Sequence, residues 1–310
     1  MKNVNILSLS FGADRTIHPG WQGVLDMIKE NLNGTEDLVM VPETCLGNEV
    51  RDPGDGFLSG ISEIALKNKI YVSASVYRKI DDKSKANSAI LYDRNGKIAF
   101  IYDKMYPFLG EFDNKEPIVI PGSRAVCADT DFGRVSVAIC FDANFPDLWQ
   151  DIADLDADLV LFSSAYSAGS QLCAHALNHH YAIVTATQKP DFAVYDINGK
   201  EVTYIRLESW NRPSRVLVSR ARIDIDKVIC HHNYNRDKIY KMLKENPGKI
   251  EIEHEYDREE WFVIRSTSAD INAREICKEY GIERLRDYKR RSRKFIDEKR
   301  GFPPVRPERI

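Results

Sequence analysis

Long apolar runs are absent from this chain of 310 residues. No segment approaches the ~20 consecutive apolar residues of a membrane-spanning helix, and the amino terminus, Met-Lys-Asn-Val-Asn-Ile, has no signal-peptide pattern. Cysteine is scarce and shows no framework spacing: the 6 residues suit a reducing compartment rather than a disulfide scaffold. Charge of one sign is not in excess either. A net charge of −3 gives no global reason to expect binding to nucleic acid or to a membrane. Internal repeats and low-complexity tracts are also missing. What remains is a soluble α/β protein, expected in the cytoplasm, with enough chain for one large core or two modest ones.

The sequence is most informative around one cysteine. Arg134-Val-Ser-Val-Ala-Ile139 begins as a short buried strand, the chain stops at Cys140, and a helix is expected from Pro146 to about Asp154. A sharp strand-to-helix turn lifts a side chain out of the sheet and leaves backbone N–H groups beside it. The positive end of the helix is expected to favour thiolate over thiol. A cysteine taken alone, however, is more often a small buried core residue.

Strand and helix signals alternate along the rest of the chain. Strands are expected at Asn3 to Ser10, Asp37 to Pro42, Ile70 to Arg78, Asn87 to Tyr92, Lys97 to Asp103, Val135 to Ile139, Leu159 to Phe162, Ala182 to Thr187, Asp191 to Tyr195, Glu201 to Ile205 and Arg215 to Ile223. Helices are expected at Trp21 to Asn31, Gly56 to Asn68 and Leu172 to Tyr181. Asn95-Gly96 and Asn198-Gly199 read as type I′ hairpin turns. Hairpins among parallel crossovers imply a mixed sheet. From Asn235 the sequence becomes charged and helical, and a boundary is placed near Arg265, giving residues 1–265 and a helical extension over 266–310. The apolar residues of that extension are too few for an independent core.

Three ordered segments carry a family resemblance: Leu38-Val-Met-Val-Pro-Glu-Thr44, Ile101-Tyr-Asp-Lys-Met-Tyr-Pro-Phe-Leu-Gly-Glu-Phe112 and Ile139-Cys-Phe-Asp-Ala-Asn-Phe-Pro-Asp147. Together they resemble the nitrilase, or carbon–nitrogen hydrolase, superfamily over residues 3 to about 225. The resemblance implies a four-layer α-β-β-α sandwich and a Glu–Lys–Cys triad at Glu43, Lys104 and Cys140, with no cofactor. Cys140 would be the nucleophile, Glu43 the general base, and Lys104 the oxyanion partner together with the Phe141 N–H. Glu111 resembles the second glutamate found beside the lysine in many members. A small-molecule substrate would meet Phe141, Asn144, Tyr106 and Tyr166, with Phe112 and Phe145 in nearby loops.

Departures from the family pattern narrow the reading. Ala143 and Asn144 stand where members acting on carbamoylated amino acids carry arginines, which argues against a free α-carboxylate on the substrate. Phe141-Asp142 in place of Trp-Glu favours an amidase over a nitrile hydrolase. His175, Asn178 and His179 replace the polar members of another family segment. Neither His179-His180 nor His231-His232 has a spacing that completes a metal site, so no metal is expected. The basic stretch from Arg284 to Arg300 follows Gly281-Ile282 with helix-turn-helix spacing, but interleaved acidic residues argue for packing on the body or on a second copy. The expectation is a non-peptide C–N hydrolase acting on a small linear amide or carbamoyl compound, in a homodimer or larger homo-oligomer. The alternatives are an idle binding protein of the same fold, or a nucleic-acid binder acting through the basic tail.

Overall fold

The computed structural model describes residues 3–12, 20–113, 116–207 and 216–302. The chain divides into two compact units, Asn3–Ile225 and a second beginning at Asp226.

In the first unit, β1 (Asn3–Ser10), β2 (Leu38–Met40), β3 (Val50–Arg51), β4 (Tyr71–Lys79), β5 (Ser84–Tyr92), β6 (Ile98–Asp103) and β7 (Ile118–Val119) belong to one sheet. A second sheet holds β8 (Cys127–Asp129), β9 (Arg134–Ile139), β10 (Leu159–Ser164), β11 (Ala182–Thr187), β12 (Asp191–Tyr195) and β13 (Glu201–Arg206). The chain then returns to the first sheet as β14 (Leu217–Asp224), antiparallel to β1. Strand order is β14-β1-β2-β4-β5-β6 in the first sheet and β13-β12-β11-β10-β9-β8 in the second. β1, β2 and β4 run parallel, as do β9, β10 and β11, while the hairpins pair antiparallel. The sheets are therefore mixed, as the alternation of hairpins and helices implies. Arg215, expected to open the last strand of this unit, lies outside the described residues.

The two faces of each strand differ in chemistry. Leu7 and Leu9 of β1, and Val72, Ala74 and Val76 of β4, pack with Val24, Leu25, Ile28, Phe57, Ile61 and Ile64 of the helices α1 (Gly20–Asn31) and α2 (Gly56–Asn68). The alternate residues on β1 face the other sheet: Ser8 Oγ donates to Thr185 O at 2.7 Å, and Thr187 N donates to Ser10 Oγ at 3.0 Å. Ser163 Oγ likewise donates to Val41 O at 3.1 Å. Small hydroxyl side chains between the sheets let the layers approach closely while satisfying one another. On the outer face of the second sheet lie α3 (Pro146–Asp154) and α4 (Gly169–His179), where Trp149 touches Phe162 and stacks on His175. The result is the expected α-β-β-α sandwich.

The Asn-Gly turns differ from their expected type. Gly96 and Gly199 have positive φ, but Asn95 and Asn198 do not. Gly96 N donates to Asp93 O and Gly199 N to Asp196 O, with Asp93 N bonded to Lys97 O and Asp196 N to Lys200 O. These are longer loops closed by a left-handed glycine, which asks for positive φ at one residue instead of two.

The second unit also departs from expectation. β15 (Lys227–His231), β16 (Ile250–Tyr256) and β17 (Trp261–Ser266) form an antiparallel sheet in the order β15-β17-β16. Arg265, the expected boundary, lies in the central strand and is in register with Lys227 and Glu251. Helices α5 (Arg236–Glu245) and α6 (Ala273–Glu279) bury Ile239, Met242, Ala273, Ile276 and Cys277 with Val228, Phe262, Ile264 and Ile282. This unit therefore has a core of its own, and Ile276 and Ile282 of the expected extension are part of it. The period-2 alternation of Ile250, Ile252 and His254 with Glu251, Glu253 and Glu255 is a strand signal that the high charge obscures. Gly281, at φ 64°, ends the turn after α6, and Ile282 N bonds to Cys277 O at 2.7 Å, as a left-handed helix cap requires. Helix α7 (Leu285–Arg300) follows.

One glycine ties the fold to the site. Gly122 N donates to Lys104 O at 2.9 Å, and a Cβ at Gly122 would stand 1.9 Å from the Asp103 carbonyl oxygen. The backbone that carries Lys104 would have to shift to admit it. Gly122→Ala is expected to lower stability by about 1–3 kcal/mol, the usual range for overpacking a filled interior. Thermal denaturation checks this, and an unchanged midpoint would show that the contact relaxes freely.

Candidate active site

Each of the three motif residues stands where a parallel strand or its hairpin neighbour ends. Glu43 follows β2, Lys104 follows β6 and Cys140 follows β9. Thr44 and Cys140 both have positive φ, 40° and 49°, so after β2 and β9 the chain turns through a conformation that non-glycine residues seldom adopt. The expected sharp turn at the cysteine is present, although a short 3₁₀ segment, Cys140–Asn144, separates it from α3.

The Lys104 ammonium is buried and sits between two carboxylates, 2.7 Å from Glu43 Oε1 and 2.6 Å from Glu111 Oε1. Burial pulls its proton affinity down, but Glu43, Cys140 and Glu111 together outweigh that, and Lys104 is held charged. Glu43 Oε2 accepts from Ala165 N at 2.9 Å, and its backbone carbonyl accepts from the Gln188 side chain at 2.7 Å. Glu111 Oε1 accepts from Phe108 N at 2.9 Å, and Tyr77 donates to its Oε2 at 3.2 Å. Asn87, on β5, donates to both carboxylates, at 2.7 Å to Glu43 Oε1 and 2.9 Å to Glu111 Oε2.

Cys140 lies against the same cluster. Its thiol is pushed up to about 12, by burial first and then by the Glu43 carboxylate, while Lys104 and the Ala165 N–H pull the other way. The resting side chain is a thiol at neutral pH. This corrects the expectation of a thiolate favoured by the helix end. α3 starts only at Pro146, and the field of a helix terminus fades within about one turn, so burial beside a carboxylate wins.

Asp142 joins the cysteine turn to the segment around Lys104. Its Oδ2 accepts from Tyr102 OH at 2.7 Å and from Ile139 N at 2.8 Å, and its Oδ1 accepts from Tyr106 N at 3.0 Å. Tyr102 and Tyr106 stand two residues either side of Lys104, and Ile139 immediately precedes Cys140. One carboxyl thus sets the separation of the two motifs. On the outer side, Trp149 Nε1 donates to Asp142 O at 3.0 Å, and His175 Nε2 lies 2.9 Å from Ala143 O. Burial lowers the proton affinity of His175, whose ring stacks on Trp149 at 4.2 Å. The histidine that replaces a family polar residue serves as a brace under the turn.

The residues expected to meet substrate divide into two groups. Asn144, Tyr166 and Gln171 form a neutral network: Gln171 donates to Asn144 Oδ1 at 2.6 Å, and Tyr166 donates to Gln171 Oε1 at 3.2 Å. Burial raises the Tyr166 hydroxyl to about 12, with the neighbouring Cys140 contributing. Phe141 packs edge-on against Phe108 and Phe145 at 5.5 and 5.4 Å. Tyr106 instead stacks flat on Phe145 at 3.8 Å and donates to Asp147, so its ring is engaged in packing. Phe112 is 42% exposed. Asn87, Tyr77, Ala165 and Gln188 went unrecognised in the sequence, because none lies in a motif and each reaches the cluster across a strand or between sheets.

In the second unit, the ligand atoms of His232, Glu255 and Asp257 lie within 4.8 Å of one another, a grouping that the sequence spacing did not reveal. Both ring nitrogens of His232 are engaged, Nε2 with Trp261 O and Nδ1 with Arg236, each at 3.0 Å. The Arg236 guanidinium also stands 3.5 Å from Glu255.

Comparison with known proteins matches residues 13–192 to the family described as carbon-nitrogen hydrolase. A deaminated glutathione amidase of Dictyostelium discoideum is 28% identical over 46% of this chain and 55% of its own length. One from Yersinia enterocolitica is 25% identical over 61% and 74%. The chain thus spans about half the length of the first of these relatives. Among solved structures, a CN-hydrolase superfamily protein of Xanthomonas campestris superposes with a TM-score of 0.61 at 19% identity, over 80% of this chain and 96% of that one. A mutant of an amidase from Nesterenkonia, in complex with butyramide, gives 0.58 at 18% identity, over 71% and 91%.

The Asp142 network has a consequence for stability. Burial raises this carboxyl from 3.8 to about 7 despite its donors. A folded-state value above the unfolded one means that its contribution is fully present below about pH 4 and is lost as the pH rises toward 7. Asp142→Asn cannot titrate and turns an N–H₂ toward existing donors. It is expected to lose about 1–3 kcal/mol and to remove this part of the pH dependence. Urea denaturation at a series of pH values between 4 and 7 measures both.

Proposed function

Because the chain belongs to the carbon–nitrogen hydrolase family, we propose that Glu43, Lys104 and Cys140 hydrolyse the C–N bond of a small linear amide or carbamoyl compound. The observation that carries this reading is the buried Lys104 ammonium, bonded to Glu43 and Glu111 beside the Cys140 thiol. Such a cluster is costly to bury and is unneeded for packing.

The thiol proton passes to Glu43 as Sγ attacks the carbonyl carbon, and negative charge moves from the carboxylate to the new oxyanion. Lys104 and the backbone N–H of Phe141 stabilise that charge. Glu43 then returns the proton to the departing nitrogen, the C–N bond breaks, and a thioester on Cys140 remains. Glu43 next takes a proton from water, whose oxygen attacks the thioester, and the carboxylic acid leaves with the thiol restored. A thiol that holds its proton at rest fits this scheme, since nucleophile and base ionise together with substrate. The scheme uses groups of this protein, one backbone N–H among them, and water.

The substrate side is neutral. Asn144, Gln171 and Tyr166 offer amide and hydroxyl groups, while Phe141 and Phe108 offer apolar contact. That combination suits an uncharged amide such as the butyramide bound by the Nesterenkonia mutant, more than an α-carboxylate. We also propose a homo-oligomer, because Phe295 and Ile296 of α7 remain 57% and 51% exposed. No helix among the described residues is long and apolar enough to cross a membrane.

Ammonia or amine release from a panel of linear amides, carbamoyl compounds and nitriles tests the reading. Cys140→Ala should abolish turnover, and Glu43→Gln should reduce it by about 10²–10⁴-fold, the range for a lost general base. Substantial turnover by Cys140→Ala, or no wild-type turnover of any compound in the panel, would overturn the assignment.

A further inference from the structure

Asn87 is placed unusually for a buried amide. It lies on β5, is 1% exposed, and directs its Nδ2 group at two carboxylates at once. Carboxylate oxygens accept hydrogen bonds, so only the N–H₂ end can face them, and the orientation of the amide follows from chemistry. The cost falls on the other end. Asn87 Oδ1 is buried with no hydrogen-bond partner among the described residues. An unpaired buried carbonyl of this kind is destabilising, and such defects persist where function outweighs stability.

The electrostatics explain what the amide does there. Two carboxylates share the single Lys104 ammonium, leaving the cluster with a net negative charge beside a thiol that must ionise. A lysine or arginine at position 87 would cancel that charge and compete with Lys104. An apolar residue would leave it bare. The two N–H dipoles of an amide attenuate it while leaving Glu43 able to accept a proton. Together with Lys104 they occupy Glu43 Oε1, so that Oε2, which takes the Ala165 N–H, is the oxygen left to face the thiol.

We propose that Asn87 is a positioning residue for the reaction described above: it bridges Glu43 and Glu111, sets which oxygen of Glu43 meets Cys140, and lowers the cost of forming negative charge at the thiol. The inference rests on the reading of Glu43 and Cys140 as base and nucleophile. The groups facing Glu43 are the Lys104 ammonium and the titratable but neutral side chains of Cys140, Tyr77 and Tyr166; Glu111 reaches it through Asn87 and Lys104.

The test uses Asn87→Leu, which removes both donors at similar volume, and Asn87→Asp, which keeps the shape and adds a third carboxylate. Each variant is first compared with the parent by thermal denaturation. Two readouts follow: kcat and KM for the amide that the parent hydrolyses best, and the rate at which iodoacetamide alkylates Cys140, located by peptide mass spectrometry. Asn87→Leu is expected to lower kcat about 10²-fold, the scale of a misplaced catalytic group, with KM within about threefold. Alkylation should slow about tenfold or more, and further in Asn87→Asp. If Asn87→Leu fails to fold, Asn87→Asp alone decides through the same readouts. Folded variants with kcat and alkylation both within about twofold of the parent would overturn the proposal while leaving the assignment of Cys140 intact. Slowed alkylation in a protein that hydrolyses no amide would support the placement of Asn87 and sink the assigned activity instead.

Discussion

A single buried ammonium, that of Lys104, is what the site is built around. Two carboxylates meet it at 2.7 and 2.6 Å, and neither could be buried so deeply without it. Desolvating three charges costs several kcal/mol each, and that cost is offset only when each lone pair and proton finds a partner. The surroundings meet this condition through neutral donors: Asn87 to both carboxylates, Ala165 N–H to Glu43, and Phe108 N–H and Tyr77 to Glu111. Remove the lysine and the remaining geometry loses its reason.

This arrangement also sets the state of the Cys140 thiol. A cysteine at the head of a helix in open water would lose its proton readily. Here the thiol shares a desolvated space with an excess of negative charge and keeps its proton. The mechanism proposed above is accordingly a concerted one, in which Glu43 would ionise Cys140 only as the carbonyl arrives. Asp142 supports this from behind, because its three donors come from both flanks of Lys104 and from the residue before Cys140. The distance between ammonium and thiol is thereby fixed by a group that touches neither.

The fold serves the site through its spacing of layers. Hydroxyl side chains between the two sheets hold them together through Ser8, Ser10 and Ser163, while the apolar faces turn outward to the helices. Glu43 and Lys104 leave one sheet, Cys140 and Ala165 leave the other, and they converge where the layers meet. A cluster assembled from both sheets is rigid in the sense that matters for catalysis, since each member is anchored by a strand.

Local pattern in the sequence was sufficient for the elements that stabilise themselves locally. The limits of β1, α2 and α3 coincide with their expected spans, because alternation, a helical apolar face and a proline at the first turn are all read within a few residues. The strand-end positions of Glu43, Lys104 and Cys140 were legible for the same reason, and so was the α-β-β-α sandwich through three ordered motifs. The tertiary structure alone decided the rest. Lys104 and Glu43 are 61 positions apart, and nothing local states that they touch or that Asn87 lies between two carboxylates. The protonation of Cys140 depends on what covers it, which is a property of the assembled layers. β16 was hidden because its exposed face carries glutamates and its pairing partner β17 is needed to bury the other face. Composition registers charge, whereas a strand is defined by its neighbour, and the neighbour is chosen only when the chain folds.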